Sequence, residues 1–209
     1  MCLNYDKATA FLNRNNLEVT SSLTYDQEAC YFAYNLRGGT MRCPDPKHPN
    51  QMVAFCDGNT LRKEQGGCVG GYAYIFPHDQ EYTVVRSLER TTNNRAECLA
   101  ALTALSYANA RDFSQSIVLY IYSDSKVLID SMTKWIYDWQ DNGWLTVWGT
   151  SVRNRDILEL MLELQGPRPV VWQHVEAHTN KRNWESFWNS FADGHARRAA
   201  RTIYENNVE

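Results

Sequence analysis

Apolar residues recur with strand period in several short runs of the chain and with helical period in several longer ones. Residues 52–56 are a short apolar run that leads into Asp57-Gly58-Asn59 and predicts a strand ending at Asp57. Glycines at 66, 67, 70 and 71 predict a turn. Residues 72–76 and 82–87 predict two further strands, joined by a short loop containing Pro77. Three consecutive strands with short connections predict an antiparallel meander. Residues 94–110 carry the strongest helical pattern: Cys98, Leu102 and Leu105 recur at spacings of four and three in a segment rich in Ala and Leu. Residues 118–122 predict a strand followed by Ser123-Asp124-Ser125, 126–139 and 154–164 predict helices, 170–174 a last strand and 192–204 a terminal helix. The order βββαβααβα predicts an α/β fold, a mixed sheet with helices packed on it.

The first fifty residues are patterned less clearly. A short helix over 7–12 follows Asp6, a strand is expected over 31–36, and Arg37-Gly38-Gly39-Thr40 reads as a tight turn. Three prolines within 43–49 exclude a helix or a central strand there. That stretch is read as a linker, which divides the chain into an extension over 1–50 and a main domain over 51–209.

Composition narrows the classes. At 209 residues with 44% apolar content, the chain can build a core and is not wholly disordered. No apolar run is long enough to span a bilayer, so no membrane role is expected. The first 30 residues carry Asp6, Lys7, Arg14 and Glu18 without an apolar core, so no secretory signal is expected. All six cysteines lie in the first half of the chain and are read as reduced thiols of an intracellular compartment, cytoplasm or nucleus. Cys30, Cys43 and His48 lack a C-x-x-C pair and are not read as a zinc site. The formal net charge of −3 excludes a protein that holds nucleic acid by bulk positive charge.

Four acids stand at strategic points. Asp57 ends the first strand of the main domain, Glu97 sits in the first turn of the long helix, Asp124 follows the fourth strand, and Asp193 opens the terminal helix. Each is flanked by apolar or small residues, and a half-buried carboxylate needs a partner. Gathered at one site, they would require divalent cations. Oxygen-only ligands favour Mg²⁺ or Mn²⁺ over zinc. Two such ions suit phosphodiester hydrolysis. Taken singly, each acid also has an ordinary reading, as an Asp-Gly turn or a helix cap, and spacing alone does not choose between them.

The surrounding words do choose. Asp57-Gly58-Asn59, Thr91-Thr92-Asn93-Asn94-Arg95-Ala96-Glu97, Tyr122-Ser123-Asp124-Ser125, the Trp135-Ile136, Trp139 and Gly143-Trp144 series, Val152-Arg153-Asn154-Arg155-Asp156, and Asn189-Ser190-Phe191-Ala192-Asp193 occur in that order. Together they resemble type 1 ribonuclease H over about residues 51–204. The resemblance implies a ribonuclease H-like five-stranded mixed sheet in the order βββαβαβα, with a substrate-gripping handle between 133 and 144. It implies an endoribonuclease that hydrolyses the RNA strand of RNA/DNA hybrids and leaves 5′-phosphate and 3′-hydroxyl ends. Asp57, Glu97, Asp124 and Asp193 would hold two Mg²⁺ ions, with Mn²⁺ a possible substitute. His178, in Val175-Glu176-Ala177-His178, would serve proton transfer or product release, and His174 is the weaker candidate. Gly58, Asn59, Asn93, Asn94, Arg95, Ser125, Trp135, Trp139 and Asn154 are the expected substrate contacts. No organic cofactor is implied, and a monomer is the default expectation. Integrase-like and binding-only readings are disfavoured, the first by the Asn-Asn-Arg and Trp words, the second by retention of all four acids.

Three features depart from the family pattern. The segment from 178 to 193 is longer than usual and contains Lys181, Arg182, Trp184, Phe187 and Trp188. It is either a basic, aromatic loop that grips the hybrid or an added helical turn that buries two tryptophans. The handle carries Asp141 where relatives carry Lys or Arg, and its three tryptophans are expected to pack on each other. The first fifty residues hold only five cations and no Trp, unlike a hybrid-binding module.

Overall fold

The computed structural model describes residues 47–48, 50–64, 66–78, 84–177 and 183–206. The elements expected over 7–12, 31–36 and 37–40 lie outside these residues, as do Cys30, Cys43, Tyr82, His178, Lys181 and Arg182.

Five strands build one sheet: β1 (Met52–Arg62), β2 (Cys68–Ile75), β3 (Val84–Leu88), β4 (Leu119–Ser123) and β5 (Val170–His174). Their spatial order is β3-β2-β1-β4-β5. The first three pair antiparallel, as the meander predicts, while β4 joins β1 and β5 joins β4 in parallel. The helices are α1 (Asn93–Arg111), α2 (Lys126–Asp130), α3 (Ile136–Asp141), α4 (Arg155–Gln165) and α5 (Trp184–Asn206). A π-helical turn, Ser131–Trp135, joins α2 to α3 and interrupts the single helix expected over 126–139. Within it the Thr133 hydroxyl donates to the Ile129 carbonyl at 2.7 Å.

Alternation along β1 sends its side chains to two cores. Ala54 and Cys56 join Leu99, Leu102, Leu105, Ile157 and Met161 under α1 and α4. Val53 and Phe55 join Ile75, Tyr122, Trp184 and Trp188 under α5. Behind the sheet the buried Arg168 side chain ties together the end of α1 and the approach to β4. It donates to the carbonyls of Ala108, Asp112 and Ile117 at 3.1, 2.8 and 2.8 Å, and pairs with the Asp112 carboxylate at 3.2 Å.

Several boundaries differ from the sequence expectation. The first strand does not end at Asp57: Asp57, Gly58 and Asn59 pair with Ala73, Tyr72 and Gly71, so ladder pairing with β2 overrides the local Asp-Gly turn signal. Gly70 and Gly71 lie in β2, and only Gly66 and Gly67, at φ of +93° and +79°, make the turn. At Gly71 a Cβ would meet the Ala196 carbonyl oxygen at 2.5 Å and the Ala200 nitrogen at 2.6 Å, so a bare backbone lets α5 lie against β2. The terminal helix starts at Trp184 rather than 192. Asn183 caps it, its Oδ1 accepting from the Ser186 N–H at 2.8 Å. Asp193 therefore lies inside this helix and does not open it. Likewise α1 starts at Asn93, so Glu97 opens its second turn.

Candidate active site

Parallel pairing of β1 with β4 ends at Phe55 and Tyr122, and β4 stops at Ser123. Asp57 and Asp124 each follow the last pair by two residues, so both stand where β1 runs on without a β4 partner. Gly58 brings the third acid in. A Cβ at Gly58 would sit 2.4 Å from the Glu97 nitrogen and 2.6 Å from the Ala96 carbonyl carbon. Only glycine lets the start of α1 press against β1 here, and that contact delivers Glu97 to the point where β1 and β4 part.

Carboxylate oxygens of Asp57, Glu97 and Asp124 lie within 4.8 Å of one another. Asp57 and Glu97 are each only 3% exposed, and one oxygen of each, Oδ2 and Oε2, is buried without a hydrogen-bond partner. Burial pushes the Asp57 carboxyl up to about 8, the charges of Asp124 and Asp193 push the same way, and Arg197 opposes them. Glu97 is raised well above the ordinary carboxylate range, first by burial and then by Asp57 and Asp124, against hydrogen bonds from the Gly58 backbone and the Ser123 side chain. Orphaned buried oxygens on converging acids are what a hard divalent cation would satisfy, so these residues fit one.

The fourth acid approaches from α5. Asp193 is near enough to Asp57 to raise its carboxyl, and its own Oδ1 accepts from Arg197 Nε at 2.8 Å, one helical turn on. Asn189, one turn earlier, is buried and donates from Nδ2 to Asp124 Oδ2 at 3.0 Å. His174, at the exposed end of β5, places Nε2 3.2 Å from the Asp124 carbonyl oxygen. The cysteines beside the acids, Cys56 and Cys98, are buried with thiols raised by burial first, which makes them packing residues.

A cleft of about 710 Å³ opens beside Glu97, lined by Thr91, Thr92, Asn93, Asn94, Arg95, Arg153 and Asn154. Four of the expected substrate contacts thus share one cavity, and Arg153 and the two threonines were not among those expected. Asn93 Nδ2 is 3.4 Å from Glu97 Oε1. Arg95 donates to both Asp156 oxygens at 3.0 and 2.8 Å, and to Asn154 Oδ1 at 3.4 Å. The Arg95 bonds hold the Asp156 carboxyl below its usual range. Asn154 has a left-handed backbone at φ +58°, tolerable for Asn, and the Arg95 contact locks it at the cleft wall. Asn59 lies on the same face of β1 as Asp57. Ser125 caps α2, its hydroxyl accepting from the Leu128 N–H at 3.3 Å.

The handle tryptophans pack on each other, with ring centroids 5.7 Å apart for Trp135 and Trp139 and 6.2 Å for Trp139 and Trp144. Trp144 is buried, while Trp135 keeps 39% exposure. In the longer 178–193 segment, the residues from 184 onward are helical and Trp184 and Trp188 are buried, which is the helical alternative. Among the described residues, no helix is long and apolar enough to cross a membrane.

A mixed β3-β2-β1-β4-β5 sheet with acids converging where the parallel pairing of β1 and β4 ends is the ribonuclease H-like class of α/β enzyme. The RNase H family model matches residues 49–201, and the chain belongs to that family as a ribonuclease H enzyme. Among its relatives, Ribonuclease HI of Haemophilus influenzae is 30% identical over 137 residues, covering 66% of this chain and 84% of the relative. Ribonuclease HI of Vibrio cholerae is 30% identical over 159 residues, covering 76% and 94%. In fold it is similar to LC9-RNase H1, a type 1 RNase H with the type 2 active-site motif, at a TM-score of 0.57 and 22% identity, covering 73% of each chain. LC11-RNase H1 in complex with RNA/DNA hybrid gives a TM-score of 0.52 at 16% identity, covering 73% of this chain and 98% of that one.

Proposed function

We propose that this chain is an endonuclease that hydrolyses the RNA strand of RNA/DNA hybrids, leaving 5′-phosphate and 3′-hydroxyl ends. The observation that carries the reading is the convergence of Asp57, Glu97 and Asp124 with buried, unpartnered carboxylate oxygens. These three, joined by Asp193, would hold two divalent ions, Mg²⁺ or Mn²⁺. When bound, such ions supply an activated water and positive charge opposite the departing 3′ oxygen. The named relatives are ribonucleases H, and one structural neighbour was solved with an RNA/DNA hybrid, which supports the substrate class.

The chain's own residues supply recognition. Asn93 and Asn94 open α1 at the cleft, where side-chain amides can read minor-groove edges and a 2′-hydroxyl. Glu97, hydrogen-bonded to Asn93, would sense the 2′-hydroxyl beside the cut. Asn154, held by Arg95, would form the opposite wall of the cleft. Gly58, Asn59 and Ser125 frame the acids, and Trp135 and Trp139 present the handle. His178 would move a proton near the leaving group. Residues 51–209 would act as the catalytic unit, as a monomer without an organic cofactor, and 1–50 as an extension.

The test incubates the full chain with Mg²⁺ and uniformly labelled RNA/DNA hybrid, double-stranded DNA or double-stranded RNA. Cleavage of the hybrid alone, with 5′-phosphate ends on the products, is expected. Cleavage of double-stranded DNA, or of nothing, would sink the reading.

A further inference from the structure

We infer that Asn189 is a positioning residue that aims Asp124 into the cation site. The inference deepens the proposed function and rests on its metal-site reading. Asn189 is 3% exposed, and its Nδ2 donates to Asp124 Oδ2 at 3.0 Å. Its Oδ1 is buried with no hydrogen-bond partner. Leaving that acceptor unmade is a cost to folding, and an apolar side chain would avoid it. The amide therefore has a use that packing alone does not explain.

The use follows from geometry and charge. Asp124 lies past the last residue of β4 and ahead of α2, where no strand pairing fixes the backbone that carries its side chain. One hydrogen bond to Oδ2 restricts the carboxylate's rotation and leaves its remaining lone pairs to the cluster with Asp57 and Glu97. A Lys or Arg at 189 would hold Asp124 as firmly, but its charge would compete with a divalent ion for the same oxygens. A neutral amide orients without competing, which is how an outer partner tunes a ligating carboxylate. Asn189 and Asp193 are also four residues apart on α5, so they share one face of the helix. The seating of α5 then sets the aim of Asp124 and the approach of Asp193 together.

The test measures Mn²⁺ binding by the full chain, read from the loss of the free-ion signal in electron paramagnetic resonance, for wild type, Asn189→Leu and Asn189→Ala. The Leu variant keeps the branching at Cγ and removes the donor and the orphaned acceptor, while the Ala variant adds no bulk, so at least one fold should persist, checked by circular dichroism in EDTA. Both variants should bind Mn²⁺ roughly tenfold more weakly. The Mg²⁺ concentration for half-maximal cleavage should rise by a similar factor, with KM for hybrid at saturating metal unchanged. If wild type binds Mn²⁺ and the folded variants bind it equally well, the inference fails while the metal-site reading stands. If wild type binds none, the metal-site reading fails and takes the inference with it. If neither variant folds, Asn189 is a structural pin and the inference is overturned.

Discussion

Replacing Asp57 with Asn should abolish cleavage and yet stabilise the metal-free protein at alkaline pH. Asp57 is buried beside Glu97 and Asp124, and its carboxyl is raised from 3.8 to about 8, chiefly by burial. Below the unfolded value both states hold the proton, and Asp57 costs nothing. As pH rises through that value the unfolded chain releases its proton while the folded chain keeps it, so stability falls. The loss is complete only above the folded value. A tenfold difference in proton affinity between the two states corresponds to about 1.4 kcal/mol, which makes the loss on the order of 4 kcal/mol at pH 7 and of 6 kcal/mol above pH 9. Asn has nearly the same shape and no charge, so it removes this slope. Guanidinium unfolding in EDTA at pH 4, 6 and 8 measures it. Wild type should lose stability across the series, and the variant should match it at pH 4 and exceed it at pH 8. Saturating Mg²⁺ at pH 8 should narrow or reverse the difference, because only wild type gains binding energy from a full ligand set. A wild-type stability flat from pH 5 to 8, or a variant less stable at pH 8, would refute the electrostatic reading of the cluster.

Three further outcomes are expected. Gly58→Ala should destabilise the fold by about 1–3 kcal/mol and abolish Mn²⁺ binding, because its Cβ would displace the backbone that carries Glu97; unaltered binding would count against the close-approach argument. Arg168→Met should cost about 3–5 kcal/mol, since it leaves the buried Asp112 carboxylate without its counter-charge and removes the guanidinium bonds to three carbonyls, and thermal unfolding at the wild-type midpoint would contradict this. The handle should bind hybrid with a shallow salt dependence, a slope of about −3 or smaller in magnitude, because its cation Lys134 is paired with Asp130, and Arg155 of α4, over the Trp144 ring, is paired with Glu159; KM measured against NaCl would show a steep slope if these cations grip phosphates instead.

Local pattern and local words carried most of the fold. The strand over 170–174 and the helix over 94–110 emerge within a residue of their predicted bounds, because each has a strong period and clear flanks. The end of β1 lies beyond Asp57 although an Asp-Gly pair is a turn signal locally, and only pairing with β2 shows that the strand continues. The start of α5 does carry a signal, Asn183 three residues ahead of Ser186 with apolar residues at helical spacing beyond, but the resemblance draws attention to Asp193 instead. The π-helical turn leaves no trace in the pattern, since one widened turn barely disturbs a helical period.

By itself, the sequence singled out four acids, because each lies inside a recognisable word of fixed order, and it determined the mixed α/β class through the order of its periodic segments. Tertiary structure alone decided how those acids meet. Asp57, Glu97 and Asp124 come from a strand interior, a helix and a strand end, and no spacing along the chain encodes their separation of less than 4.8 Å. It also decided that Gly58 is a contact surface rather than a turn, that Arg95 braces Asn154, and that Asn189 holds Asp124. The physical reason is the same in each case. Desolvation, close approach and hydrogen-bond partnership are properties of neighbours in space, and these neighbours are distant in the chain: Arg95 and Asn154 are 59 residues apart, Asp124 and Asn189 65.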